Sequence, residues 1–190
     1  SVKDWWAFYL HIKMDETKKN TRLTNIIKDL SSTDENKIFT ALKQLRSHGK
    51  KEAVQPLIEL LASNNNEEIK SEITNLLFDL KDQSVVEELI AVIDSNNYQS
   101  EMATLISIFW QSSLDSSENI TSIVKQAIKG DYLVAIEVLS VIDNYDTTFQ
   151  ESEIEDLKFD LDEAIEEDDS EKRNLLITIR MALDELNLEF

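Results

Sequence analysis

The chain of 190 residues carries 38 Asp and Glu against 19 Lys and Arg, a net charge of −19, with two Gly, one Pro and no Cys. So little Gly and Pro, with no stretch where β-branched and polar residues alternate, excludes a strand-and-turn protein and predicts an all-α one. The missing cysteine excludes disulfides, thiolate catalysis and Cys-based zinc sites. No apolar run is long enough to span a bilayer and no signal-peptide pattern opens the chain. We therefore expect a cytoplasmic protein, or the cytoplasmic part of a longer chain, since Ser1 rather than Met points to processing or to a segment of something longer.

Apolar residues at helical spacing divide the chain into about eleven helices. The first two, 3–14 with Trp5, Trp6, Tyr9, Leu10 and Ile12, and 21–31 with Leu23, Ile26, Ile27 and Leu30, form a degenerate N-terminal unit over 1–31. Four helix pairs follow at 34–63, 66–95, 98–129 and 132–167. A terminal helix at 170–187 carries Leu175, Leu176, Ile179, Leu183 and Leu186. Capping-box spacing marks several starts: Ser32 with Glu35, Ser84 with Glu87, Asp115 with Glu118 and Thr148 with Glu151. Asn64 to Asn66, and Asn96 with Asn97, suit short turns between pairs. Gly49 suits a left-handed helix end, and Pro56 the first turn of the next helix. No linker is rich enough in Gly or Ser to separate two domains, so residues 1–190 read as one array.

The pairs repeat. Ile38, Leu42 and Leu45 are echoed by Ile69, Ile73 and Leu76, 31 positions on, and Leu57, Ile58 and Leu61 by Leu89, Ile90 and Ile93, 32 positions on. Met102, Ile106 and Phe109, then Val134, Val138 and Val141, continue the series. Two helical patterns per period of this length are the mark of an α-solenoid. The unit Ala41-Leu42-x-x-Leu45-x-x-x-Gly49-x-x-x-Ala53-Val54-x-Pro56-Leu57-Ile58-x-Leu60-Leu61 resembles a HEAT-like repeat of the phycobilin-lyase type. The match is good over this unit, partial over 66–95 and a hydrophobic skeleton over 98–167. The resemblance implies a right-handed α-α superhelix of HEAT/armadillo type, about five helix pairs plus a terminal helix, whose second helices line a concave protein-binding face.

The same resemblance raises catalytic options. Iron-holding HEAT-like hydroxylases use His-Glu dipeptides, but here Ile12 follows His11 and Gly49 follows His48. We expect no metal, no cofactor and no catalytic activity, with His48 interacting with carbonyls at a helix end. DNA-glycosylase-like arrays need a broad basic groove, and Lys43, Arg46, Lys50 and Lys51 make only a small patch, so nucleic-acid binding is not expected. A lyase-like or enzyme-accessory role on a cofactor carried by another protein is the alternative to a binding module. Asp160-x-Asp162 invites a calcium reading, but Ala164 and Ile165 occupy positions where a calcium loop needs an oxygen ligand and a glycine.

Charge points to a basic partner or to solubility alone. Residues 1–51 hold eleven Lys and Arg against six Asp and Glu, and residues 52–190 hold eight against thirty-two. An acidic field favours basic partners and salt-sensitive association. The second-helix face should carry Gln55, Glu59, Glu88, Asp94, Asp162 and Glu166 as an acidic lining for a basic protein. Phe159 stands off the 154/157/161/165 stripe; packing against the terminal helix is favoured for it, an exposed aromatic anchor being the other reading. Among Trp5, Trp6, Phe8 and Tyr9, part should cap the open end of the array and the rest contact an upstream segment, another copy of the chain or a membrane interface.

Overall fold

The computed structural model describes the backbone of residues 2–48 and 51–189 and the side chains of residues 13–47 and 51–189. The roles expected for Trp5, Trp6, Phe8, Tyr9, His11, His48, Gly49 and Lys50 lie outside the described residues. Within the described residues the chain is all-helical apart from one short strand pair, with ten α-helices in two compact units, Ser1–Leu76 and Leu77–Phe190. No described helix is long and apolar enough to cross a membrane.

The first unit opens with α1 (Val2–Asp29), one continuous helix where the sequence predicts two. The polar stretch around 13–22 suggests a break, yet it contains no Gly or Pro to make one. Thr17, Thr21 and Thr24 donate their hydroxyls to the carbonyls four residues back, at 2.8, 2.9 and 2.9 Å, which keeps these side chains from competing with the helix. The far end of α1 buries Leu23, Ile26 and Leu30 and packs on α2 (Glu35–His48). A 3-10 turn, Lys51–Ala53, leads into α3 (Val54–Ser63), where Pro56 falls in the first turn and gives up no backbone bond. After it comes α4 (Glu67–Phe78), tied to α2 by Arg46 Nη2 to Glu72 Oε2 at 3.2 Å.

The second unit is a two-layer stack. One row is α5 (Val86–Ser95), α7 (Ile120–Lys129) and α9 (Glu151–Glu167). The other is α6 (Met102–Gln111), α8 (Tyr132–Asp143) and α10 (Lys172–Asp184). Neighbours pack within each row, and α5 with α6, α7 with α8 and α9 with α10 pack across. The core is Leu89, Ile93, Met102, Leu105, Ile106, Ile120, Ile123, Val138, Ile154, Leu161, Leu176 and Ile179, all essentially solvent-free. Every residue of the repeated apolar series is buried in its own unit. A side chain of this size contributes about 1.5–3 kcal/mol on burial.

The capping chemistry differs from expectation. Short 3-10 turns, Gln83–Val85 and Ser117–Asn119, precede α5 and α7, so capping moves upstream. Asp82 Oδ1 accepts from the Ser84 N–H at 3.0 Å in place of the expected Ser84 cap, and Asp115 Oδ1 accepts from the Ser117 N–H at 2.9 Å. Asp34, not Ser32, caps α2, accepting from the Asn36 N–H at 3.0 Å. Asn66 caps α4 and Asp131 caps α8, and Asn96 ends α5 in the left-handed conformation at φ 55°.

The expected loop at 144–150 ends in a strand, β1 (Thr148–Gln150), and the chain closes on β2 (Asn187–Glu189), so Thr148 is a strand residue and not a helix cap. The expected terminal helix accordingly stops at Asp184. The two strands pair in parallel, Phe149 opposite Leu188, with α9 and α10 as the connection between them. Phe149 is buried edge-on to Tyr145 at 5.4 Å, and burial pushes the Tyr145 hydroxyl far above its ordinary range, opposed by its hydrogen bond to Ser116 Oγ at 3.0 Å.

Basic side chains fasten the last helix. Lys172 Nζ donates to the Ile128 and Gly130 carbonyls, both at 2.9 Å, covering the open end of α7. Lys158, almost wholly buried, meets Asp184 at 2.7 Å and Glu155 at 2.8 Å. The hydrogen bond to Asp184, then that to Glu155, raises Lys158 above 10.5, and the bond from Lys158 lowers Asp184 below 3.8. The Asp184 contribution is present above pH 3.8 and lost as pH falls through its lowered value; that of Lys158 is lost only as pH rises through its raised one. Asp184→Asn is expected to lower the melting midpoint at neutral pH by roughly 2–4 °C and to shallow the acid limb of the stability profile, measured by circular dichroism across acid and neutral pH. Gly130→Ala would place a Cβ 2.8 Å from the Gln126 carbonyl and from Val134, and should cost about 1–3 kcal/mol in urea unfolding.

Candidate functional site

The exposed side of the α5, α7 and α9 row follows directly from the core. Burying Ile120, Ile123, Val124 and Ala127 turns Thr121 and Lys125 of α7 outward, and burying Ile154, Leu157 and Leu161 does the same for Ser152, Asp156, Phe159 and Glu163 of α9. Two grooves of this unit are lined by residues of that row. The larger, about 910 Å³, is lined by Gln83, Val86 and Glu87, by Asp115, Ser117, Glu118 and Asn119, and by Thr147, Thr148, Phe149 and Gln150 with Glu153 and Glu189. The smaller, about 500 Å³, is lined by Thr121, Lys125, Ser152, Glu153, Asp156, Leu157, Phe159 and Asp160. Glu153 lines both.

Their chemistry is that of an anionic surface. Glu87, Asp115, Glu118, Glu153, Asp156, Asp160 and Glu189 line them, and Lys125 is the one cationic side chain among the lining residues. None of these carboxylates has an ion-pair partner among the described residues. Glu153 accepts the Thr121 hydroxyl at 2.8 Å, and Glu189 accepts from the Gln150 side-chain amide. The wall is held by a reciprocal bond pair across 32 residues: Gln83 Nε2 donates to the Asp115 carbonyl at 2.5 Å, and the Asp115 N–H donates to Gln83 Oε1 at 3.0 Å. Hydroxyls, amides and carboxylates arranged this way can receive cationic groups; among the described residues no group of His, Asp and Glu is placed to hold a metal ion.

The residues expected from sequence spread over both units. Gln55 and Glu59, on α3, are exposed and bonded to each other at 3.0 Å. Glu88 is half-buried rather than exposed, because it turns off the outward side of α5. Asp94 is exposed and accepts the Ser122 hydroxyl at 2.9 Å, joining α5 to α7. Asp162 reaches toward α10 and holds Arg180 Nε at 3.1 Å. Phe159 and Glu166 share the outward side of α9. Phe159 does not pack on the terminal helix: the α10-facing side of α9 is taken by Lys158 and Asp162, which leaves the ring 63 % exposed at the edge of the smaller groove.

Sequence reasoning missed the groove carboxylates because Glu87 and Glu118 sit where capping-box partners belong. Once Asp82 and Asp115 do the capping, both glutamates are released to the surface. The available signal was their matching place, 31 residues apart, in the apolar pattern of the sequence. Because Phe159 is exposed, Phe159→Ala should change stability by less than about 0.5 kcal/mol in thermal or urea unfolding. Comparison with protein-family models, with curated proteins and with solved structures finds no match to this chain.

Proposed function

We propose that the chain is a HEAT-like α-solenoid module that binds a basic protein partner, without catalysis of its own, on the acidic side of its second helices. The observation that carries this reading is the pair of grooves along α5, α7 and α9 that share Glu153, with seven carboxylates unpaired to any cation among the described residues. Uncompensated carboxylates repel one another and persist only where solvent or a cationic partner offsets that cost. Phe159 supplies the apolar anchor that interfaces concentrate near their centre.

The repeat reading draws support from the span of the hydrogen bonds. Gln83 with Asp115, Gln126 with the Ile93 carbonyl, Ser113 with the Leu80 carbonyl and Thr121 with Glu153 each join residues 32 or 33 apart. Arg46 to Glu72 in the first unit has its counterpart in Trp110 Nε1 to Glu137 Oε2, at 2.6 Å in the second, two periods further on. Stacked units that touch only their neighbours produce contacts of this kind.

The test is capture of basic proteins by the immobilised chain, compared with a Glu87→Gln, Glu118→Gln, Asp156→Asn, Asp160→Asn variant whose helicity is checked first. Retention should fall at least about tenfold in the variant and be lost by about 0.5 M salt. Phe159→Ala should weaken the same retention by roughly tenfold. Retention that ignores both salt and the four substitutions would remove the electrostatic basis of the proposal.

A further inference from the structure

We infer that the larger groove takes an extended basic peptide, added as a third strand on the open edge of β1. The inference rests on the acidic docking reading above and specifies its ligand. The sheet has two strands, so β1 is bonded to β2 along one edge and has its other edge unpaired within the sheet.

The way β1 meets the groove identifies which part of it is presented. A strand that shows a face offers every second residue, because successive side chains point to opposite faces. Here Thr148, Phe149 and Gln150 of β1 line the groove in succession, after Thr147 and beside Glu189 of β2, although the Phe149 side chain is buried and only its backbone is left to meet the groove. Consecutive residues are what an edge offers, and an edge offers backbone N–H and C=O groups. Such a row binds another chain in extended conformation, main chain supplying affinity and alternate side chains supplying choice.

The surroundings decide which chain. Glu87 at the start of α5 and Glu118 in the turn before α7 line the same groove, neither side chain with a hydrogen bond or ion pair among the described residues. Asp115, Glu153 and Glu189 complete the rim, and no cation lines this groove. A neutral or acidic strand would leave these carboxylates desolvated and unpaired, so the repulsion selects as strongly as the attraction. The volume, about 910 Å³, lies near the upper end of ligand clefts, about 300–1,000 Å³, and suits several residues of an extended segment.

The experiment uses the full chain and a synthetic peptide, acetyl-Lys-Val-Lys-Val-Lys-Val-Lys-amide, with two isomers of equal charge. One isomer is N-methylated on the backbone at the last three lysines and the other at the three valines. In a strand the N–H groups of successive residues point to opposite edges, so addition to β1 blocks one isomer and tolerates the other. The expected result by calorimetry is a difference of about tenfold or more between the isomers, and weakening of the parent peptide by Glu87→Gln with Glu118→Gln. The amide resonances of Thr148, Phe149 and Gln150 should shift on binding of the parent. Equal binding of both isomers, still weakened by the two substitutions, would overturn strand addition and leave the acidic docking reading in place. Binding that the substitutions do not weaken would overturn the groove as the site. No binding of any of the three peptides would overturn both readings.

Discussion

An amphipathic helix has one apolar stripe and cannot cover it alone, and in the second unit the cover comes from the neighbouring helix in the chain and from the next helix but one. The structure follows from that need. In the second unit α6 lies on α8 and α8 on α10 in one row, while α5 lies on α7 and α7 on α9 in the other. The polar bonds obey the same interval, from the Gln83–Asp115 pair to the Thr121–Glu153 bond. Burial sets the spacing, and hydrogen bonds then accumulate at the places where helices one period apart meet. Gln126 illustrates the cost of such joints: fully buried to reach the Ile93 carbonyl, it leaves its own amide oxygen without a partner.

The distribution of basic side chains explains why the acidic groove stays acidic. The second unit has few, and several are spent on one end of the stack. Lys158 holds Asp184, Lys172 covers the Ile128 and Gly130 carbonyls, Arg173 bonds the Ile165 carbonyl, and Arg180 joins Asp162 to Asp184. These fasten α10 against α9, α7 and its own last turn. The region around Glu87, Glu118 and Glu153 receives none of them. Structural needs at one end of the unit thus set the electrostatic character of the other.

Helix content and core positions were legible because apolar spacing is dictated by burial, and every residue of the repeated series lies in the interior. Three features were not, each for a local reason. The continuity of α1 depends on the absence of a breaker in a polar stretch, and periodicity does not register an absence. Strands β1 and β2 are three residues each, too short for an alternating pattern, and their pairing joins segments that sequence spacing does not connect. The groove carboxylates were hidden by ambiguity, since a glutamate three residues after a serine or aspartate suits a cap as well as a surface. Phe159 was correctly placed off the apolar stripe, but the stripe alone does not say what stands opposite.

The pairing of β1 with β2 bears on how the second unit assembles in time. Most contacts of the stack join helices next to one another or one period apart, a topology whose loop-closure cost is small and whose folding is correspondingly quick. The strand pair is different, because Phe149 meets Leu188 only after the whole of α9 and α10 has been laid down between them. Its formation therefore requires that both helices have docked. Hydrogen exchange at the amides of β2 would consequently track the opening of α9 and α10 together, giving a short strand at the end of the chain the protection of the helices that bring it there.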